Sequence, residues 1–291
     1  MASKGRQFKD LMNAPEILIQ PGIYDGYTAR LVEANGFKAA SISGAGVSES
    51  RMGWPDRGVM TFDENLNNAR RLADCTENLL LRADADTGYG NAMTVHFVVR
   101  AFEKAGMAAL MFEDQVWPKR CGHMIGKKVV PRELAVAKIK AACAERLNPE
   151  TWILARTDAR AVYDLDEALR RAEAFVKAGA DGVFVEAPRS VKELEIVGRS
   201  FDVPQICNPL MGGHTPILSM EELGQLGFSA AVLGLDTLMH AAKAIETVLI
   251  DMKTGAFKRR NDGMEFEDYK KVVGFDAWEG VDNRFADQAK A

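Results

Sequence analysis

Four glycines, at positions 36, 106, 179 and 227, each close a helix-like stretch and each stand seven residues before the end of an apolar run. The stretches are Glu33-Ala34-Asn35-Gly36, Glu103-Lys104-Ala105-Gly106, Val176-Lys177-Ala178-Gly179 and Gly224-Gln225-Leu226-Gly227, and the runs end at Ser43, Glu113, Glu186 and Gly234. Glycine tolerates the left-handed backbone of a helix C-cap, so the repeat reads as helix, turn and strand recurring with one geometry. Eight short apolar segments keep this rhythm: Ile17–Ile19, Ala39–Ser43, Leu79–Ala83, Ala109–Glu113, Trp152–Thr157, Gly182–Glu186, Pro204–Asn208 and Ala230–Gly234. The common offset belongs to the second, fourth, sixth and eighth, and alternate strands of a closed barrel share side-chain layers. An open doubly wound sheet also alternates strands and helices, but no Gly-x-Gly-x-x-Gly follows the first strand. The pattern therefore predicts a (β/α)8 TIM barrel of α/β class behind an N-terminal helix. Ser43, Glu113 and Glu186 fall on its C-terminal rim, where such barrels carry their chemistry.

Between the strands, Asp164–Ala178 keeps Leu165, Ala168, Leu169, Ala172, Phe175 and Val176 on one helical face. Thr61-x-x-Glu64 and Ser219-x-x-Glu222 have the form of capping boxes. The 291 residues, 47% hydrophobic, suit one barrel, for which about 250 residues is typical. Residues 1–255 are expected to form it, and residues 256–291 a helical extension. The extension carries Phe266, Tyr269, Phe275, Trp278 and Phe285, aromatics that call for packing on the barrel or on another subunit.

Charge and cysteine usage narrow the function. A net charge of −4 gives no sign of a nucleic-acid surface, and a small anionic substrate would need a locally positive pocket. No apolar run approaches the roughly 18 residues of a membrane span, and Met1–Gln7 lacks the apolar core of a signal peptide. Cysteines 75, 121, 143 and 207 form no Cys-x-x-Cys pair, which fits reduced thiols and a cytoplasmic location. Histidines 96, 123, 214 and 240 show neither His-x-His nor His-x-x-x-His spacing, which argues against a zinc centre.

Two stretches carry the chemistry. Asp84-Ala85-Asp86-Thr87-Gly88-Tyr89-Gly90 ends the third strand, and Phe112-Glu113-Asp114 through Lys119-Arg120-Cys121-Gly122-His123 follows the fourth. With Asp56 in Gly53-Trp54-Pro55-Asp56, these carboxylates would repel one another unless a divalent ion resolved the charge; the alternative is a set of helix caps and salt bridges. Hard oxygen ligands suit Mg2+ or Mn2+. Cationic neighbours favour a thiolate at Cys121, which could then trade a proton near neutral pH. Arg156 is a fixed cation suited to carboxylates, Ser43-Gly44-Ala45-Gly46 offers an anion nest, and Asn208 adds an amide on the rim. Cys207 reads as core, and His214 as a turn residue without an assigned role.

Together with Pro21-Gly22-Ile23-Tyr24-Asp25 and Ser43-Gly44, these motifs resemble the isocitrate lyase/phosphoenolpyruvate mutase superfamily, from about Phe8 to the end of the eighth helix. Val116 to Met124 is most similar to the 2-alkylmalate lyase branch, which includes dimethylmalate lyase and petal death protein and has methylisocitrate lyases as close relatives. The resemblance implies a homotetramer built from dimers whose last helix is exchanged between subunits. It implies Mg2+ held directly by Asp84, with Asp56, Asp86 and Glu113 acting largely through water. Cys121 would be the catalytic acid on a gating loop from about Trp117 to Pro131. His123, Arg156, Glu186 and Asn208 would bind substrate or organise the site, with Gly122 beside them, and Ser43, Gly44 and Ala45 would form the carboxylate loop. The implied activity is cleavage of a 2-hydroxy dicarboxylate, of 2-alkylmalate, 2,3-dimethylmalate or 2-methylisocitrate type, to a 2-keto acid and a carboxylate. Oxaloacetate hydrolysis to oxalate and acetate, or oxaloacetate decarboxylation, is the alternative, with a phosphonate mutase further off. The chain departs from the family pattern at Ser41, where several relatives carry an aromatic residue, and at Ala45, Gly234 and Asp236, all expected in or beside the substrate pocket.

Overall fold

The computed structural model describes residues 2–286. Its eight parallel strands are β1 (Leu18–Ile23), β2 (Ala39–Ile42), β3 (Leu80–Asp84), β4 (Ala109–Glu113), β5 (Trp152–Thr157), β6 (Gly182–Val185), β7 (Ile206–Cys207) and β8 (Ala230–Leu233). They pair in the order β6-β5-β4-β3-β2-β1-β8-β7, and a parallel bridge from Val183 to Gln205 brings the two ends together. The (β/α)8 barrel is thus present. Two strands differ in length from expectation by more than one residue. β1 continues through Pro21-Gly22 to Ile23, in register with Leu233 of β8 and Ser41 of β2, although proline and glycine ordinarily end a strand. Glycine is needed there because a Cβ on Gly22 would overlap the Gly234 carbonyl. β7 shrinks to two residues, since Pro204 has no N–H to donate and Gln205 makes only the single bridge.

The helices are α1 (Lys4–Met12), α2 (Gly26–Ala34), α3 (Gly44–Val47, continued by a π-turn over Ser48–Met52), α4 (Phe62–Cys75), α5 (Ala92–Lys104), α6 (Arg132–Glu145), α7 (Ala159–Val162), α8 (Leu165–Lys177), α9 (Val191–Gly198), α10 (Met220–Gln225), α11 (Asp236–Lys253), α12 (Phe266–Val273) and α13 (Phe275–Ala286). Both expected capping boxes form, at the starts of α4 and α10, and Asp164 caps α8. Glycines 36, 106, 179 and 227 adopt φ of 82°, 88°, 103° and 103°, the left-handed conformation their positions required.

Helix α1 plugs the N-terminal end of the barrel. Its Phe8 lies 5.5 Å from the ring of Trp152, and Phe8 and Met12 join Leu80, Ala109, Leu154, Ile206 and Ala230 in the barrel interior. That leaves the opposite rim open for polar side chains. In the C-terminal segment, Tyr269 of α12 packs on Tyr27 of α2 with ring centres 5.8 Å apart, and Arg30 reaches the Val272 carbonyl. Phe266 and Trp278 stay 70% and 66% exposed. The extension therefore packs back only in part; residues 287–291 of it lie outside the described residues.

The close approach of β1 to β8 is testable. Gly22→Ala is expected to lower stability by roughly 1–3 kcal/mol, the usual cost of overpacking, read as an earlier urea midpoint; an unchanged midpoint would mean the two backbones are free to separate.

Candidate active site

Inward residues alternate along each strand, so the last inward positions of the barrel meet at the C-terminal rim. A small cavity of about 70 Å3 opens there. Ser43, Ala45, Asp56, Asp84, Cys121, Gly122, His123, Arg156, Glu186 and Asn208 all line it. Gly44, Asp86 and Glu113 stand just behind this wall. A Cβ on Gly44 would come within 2.8 Å of Asp84 Oδ2, so glycine lets the start of α3 lie against the acid. The catalytic, substrate-binding and metal candidates are thus brought to one rim; of the departures from the family pattern, Ser41, Ala45 and Gly234 line the cavity and Asp236 does not.

The acids differ from expectation in one respect: they have a matching cation. Lys119, 5% exposed, places Nζ 2.6 Å from Asp56 Oδ1 and 2.9 Å from Asp86 Oδ1. Burial works against its ammonium, but Asp86 and Asp56 raise its pKa well above the ordinary lysine value. The Tyr89 hydroxyl donates to Asp86 Oδ2 at 2.8 Å, and Asn65 holds both Tyr89 and the Asp84 carbonyl. Asp86 itself sits at φ 48°, a conformation uncommon outside glycine and found where function holds the backbone.

Even so, the rim is short of positive charge. Across the described residues, buried acids 56, 84, 86, 113, 114, 158 and 186 outnumber the buried cations Arg82, Lys119, Lys127, Arg156 and Arg171, and Arg82 lies below the rim. Burial pushes Glu113 well above the usual carboxylate range despite Arg156, and burial and Asp86 push Asp84 up. Glu113 Oε1 has no hydrogen-bond partner. Among the described residues no three acid, histidine or cysteine groups converge tightly enough to wrap an ion. The surplus of buried acids and the unpartnered Glu113 oxygen suit a hard cation with oxygen ligands.

Arg156 is held as a fork. Nε and Nη2 donate to the two oxygens of Asp158 at 2.9 and 3.1 Å, Nη2 lies 3.3 Å from Glu186 Oε2, and Nε lies 3.4 Å from Glu113 Oε2. Asp158 also accepts from Lys127 Nζ at 2.7 Å. Burial would raise the Asp158 pKa, yet Arg156 and Lys127 hold it at about 2. Lys119, Lys127 and Asp158 were not assigned from sequence; Asp158 stands two residues after Arg156 on β5, and both lysines flank Cys121 in one loop.

That loop is closed over the cavity. Lys127 donates to the Gly122 carbonyl as well as to Asp158, Cys121 N–H reaches the Asp56 carbonyl, and Gln115 holds both the N–H and the carbonyl of Arg120. Gly122 passes so near Arg156 and Glu186 that a Cβ would lie 2.5 and 2.6 Å from their side-chain atoms. His123 Nδ1 accepts the His214 backbone N–H at 3.1 Å, so Nε2 carries the proton and faces Glu186 Oε1 at 3.3 Å. The Asn208 amide lies 3.3 Å from the same Nε2 and its oxygen has no other partner, so the oxygen is the end that suits His123. His214 acts through its backbone, and its ring lies over that of His123 at 6.1 Å.

One expectation is corrected. Cys121 is not a thiolate in waiting: burial, with Asp56 and Glu186 beside it, pushes its pKa up against the pull of Arg156. The neighbouring cations turn elsewhere, Lys119 to the acids and Arg120 to the Ile125 carbonyl. The sulfur is therefore held as a thiol.

The family model for phosphoenolpyruvate phosphomutase matches residues 8–253. The chain belongs to the phosphoenolpyruvate mutase/isocitrate lyase superfamily. A 2,3-dimethylmalate lyase of Eubacterium barkeri is 35% identical over 289 residues, covering 96% of this chain and 97% of its own. Oxaloacetate acetylhydrolase, solved with 3,3-difluorooxalacetate, superposes with a TM-score of 0.93 at 32% identity, covering 98% of this chain and 97% of its own. Phosphonopyruvate hydrolase, solved with oxalate and Mg2+, gives a TM-score of 0.87 at 25% identity over 98% of this chain and 100% of its own. These superfamily members share a barrel with this chain along nearly its full length.

Asp158 links the closed loop to Arg156, so Asp158→Asn should cost about 3–5 kcal/mol of stability at pH 7, as for other broken buried pairs. Because its folded pKa lies below the unfolded value, its contribution is complete above about pH 4 and fades as pH falls toward 2. Urea unfolding of both proteins should show the stability gap narrowing by about 2–3 kcal/mol across that range; a gap independent of pH would deny the ion pair.

Proposed function

We propose that this chain is a Mg2+-dependent carbon–carbon lyase that cleaves a 2-hydroxy dicarboxylate into a 2-keto acid and a carboxylate. The observation that carries this reading is that Asp84, Arg156 and the protonated thiol of Cys121 line one cavity under a closed loop. Bound Mg2+, which Asp84 would hold directly and Asp56, Asp86 and Glu113 through water, supplies Lewis acidity toward the 2-oxygen and its adjacent carboxylate; Mn2+ would suit the same donors.

The protein's own residues do the rest. The Gly44 and Ala45 N–H groups, which have no partner within their helix, and the Nη1 end of Arg156, which its fork to Asp158 leaves free, receive substrate carboxylates. When the C2–C3 bond breaks, the electron pair passes to C3 and its carboxylate, and Arg156 is the fixed cation facing that charge. The Cys121 Sγ–H bond then breaks, and its proton completes the carboxylate product at C3. The proton lost from the 2-hydroxyl passes to solvent and the Cys121 thiolate takes one back when the loop opens, so protons balance over the cycle. Residues 117–131 exclude the bulk water that would quench the carbanion without control. His123, Glu186 and Asn208 hold the loop backbone and Arg156 in place for this step.

A second reading, hydrolysis of oxaloacetate to oxalate and acetate, has support in the likeness to oxaloacetate acetylhydrolase. Hydrated oxaloacetate presents a hydroxyl where an alkylmalate carries alkyl. We also take the chain to act as a homotetramer with its last helix exchanged between subunits, a proposal supported by the exposed Phe266 and Trp278 and tested by its mass in solution.

Assays of 2-methylmalate, 2,3-dimethylmalate, 2-methylisocitrate and oxaloacetate, with product identification, test the lyase reading. A 2-keto acid should form from at least one hydroxyacid, stop with chelator and return with Mg2+. Oxalate and acetate from oxaloacetate, with no hydroxyacid cleaved, would replace the lyase by the hydrolase, and no turnover would overturn both. Cys121→Ser should lose about 100- to 10,000-fold in turnover, the range for a general acid, while oxalate still binds by calorimetry. Normal turnover in that variant would remove the thiol from the reaction.

A further inference from the structure

One layer beneath the rim, the cavity meets a charge that the mechanism above does not use. Arg82 precedes Asp84 by two residues on β3, so it points into the barrel about 7 Å deeper at 3.3 Å per residue. It is 1% exposed and lines the cavity floor with Ser41, Met111, Phe184 and Val232. Arg82 is the sole charged residue in that group of five.

Its guanidinium has neutral partners only. Nε donates to Gln20 Oε1 at 3.0 Å, Nη2 to Ser41 Oγ at 2.8 Å, and Nη1 to the Met111 sulfur at 3.2 Å. Three of its five N–H donors are thus engaged, one of them by a thioether, which is a weak acceptor. Among the described residues no carboxylate lies within ion-pair distance of it, whereas Arg156, Arg171, Lys119 and Lys127 each have one. Burial lowers its pKa to about 10, with Asp84 one layer above pulling the other way. A buried cation recovers its lost hydration only through a counter-ion, and the open side of this one faces the cavity. Ser41 now has a physical explanation: an aromatic ring there would remove the acceptor of Nη2.

We propose that Arg82 is a specificity-determining residue that binds a third anionic group of the substrate, which makes hydroxytricarboxylates the substrate class rather than 2-alkylmalates. The inference rests on the lyase reading and deepens it. A ligand held at Asp84 by its hydroxyl and first carboxylate, with its second carboxylate at Arg156, extends one substituent toward the floor. An alkyl group there would leave the guanidinium desolvated and unpaired. A carboxylate would accept its two idle donors as a charge-assisted fork.

Non-cleavable probes separate this claim from the lyase reading. Calorimetry on the Mg2+-loaded protein compares propane-1,2,3-tricarboxylate with glutarate, in wild type and in Arg82→Met. Wild type should prefer the tricarboxylate by on the order of 10- to 100-fold, the strength of hydrogen bonds to charged groups, and the preference should collapse toward one in Arg82→Met. If that variant fails to fold by circular dichroism, Arg82→Lys, which keeps the charge without the fork, should retain an intermediate preference. A wild type indifferent to the third carboxylate, or an unchanged ratio in either folded variant, would overturn the proposal. An intact preference without cleavage of any hydroxyacid would sink the lyase reading and leave the role of Arg82 standing.

Discussion

The ammonium of Lys119, buried between Asp56 and Asp86, is the contact on which the closed site depends. It belongs to the loop and its partners belong to the barrel mouth, so the attraction that neutralises the acids also draws Cys121 over the cavity. Lys127 repeats the device on the far side of the thiol through Asp158, which in turn orients Arg156. Loop closure and acid ionisation are therefore one electrostatic system. Removing either lysine would leave buried carboxylates uncompensated and the loop without its anchor, a heavier loss than that of a surface ion pair.

This arrangement also explains the state of the thiol. In sequence Cys121 stands among cations, and from sequence alone a thiolate follows. In space those cations have partners of their own, and the sulfur is left to burial and to Asp56 and Glu186. The distinction between neighbours along the chain and neighbours across the cavity decides the chemistry, because an acid must arrive with its proton. The same distinction hid Lys119, Lys127 and Asp158. Their ion pairs span 63 residues for Lys119 with Asp56 and 31 for Lys127 with Asp158, and nothing local marks them.

What was legible in the sequence was local or periodic. The helix-ending glycines, the capping boxes at Thr61 and Ser219 and the alternation of strands with helices are set by backbone conformation within a few residues, and the structure contains them all. β1 runs beyond the expected Ile17–Ile19 through Pro21-Gly22, and only the approach of Gly234 on β8 shows why glycine belongs there. Candidate residues at strand ends were legible because such ends converge wherever a barrel closes, whereas the roles of Gly122, His123, Glu186 and Asn208 came from the family resemblance. Arg82 was passed over as one more strand residue, since burial without a counter-ion is a property of the folded interior. The barrel thus sorts its polar groups by depth, with acids and paired cations at the rim and a lone guanidinium below.

At the centre of the proposed mechanism is a thiol, held in place by the closed loop, that would protonate a carbanion before the site opens. Cleavage in deuterium oxide of a hydroxyacid substituted at C3 tests it most directly, with the label on the carboxylate product analysed for configuration. A fixed donor on one face should give a single deuterium of one handedness. A racemic label would show that the carbanion is quenched by solvent, and the loop thiol would have no part in the reaction.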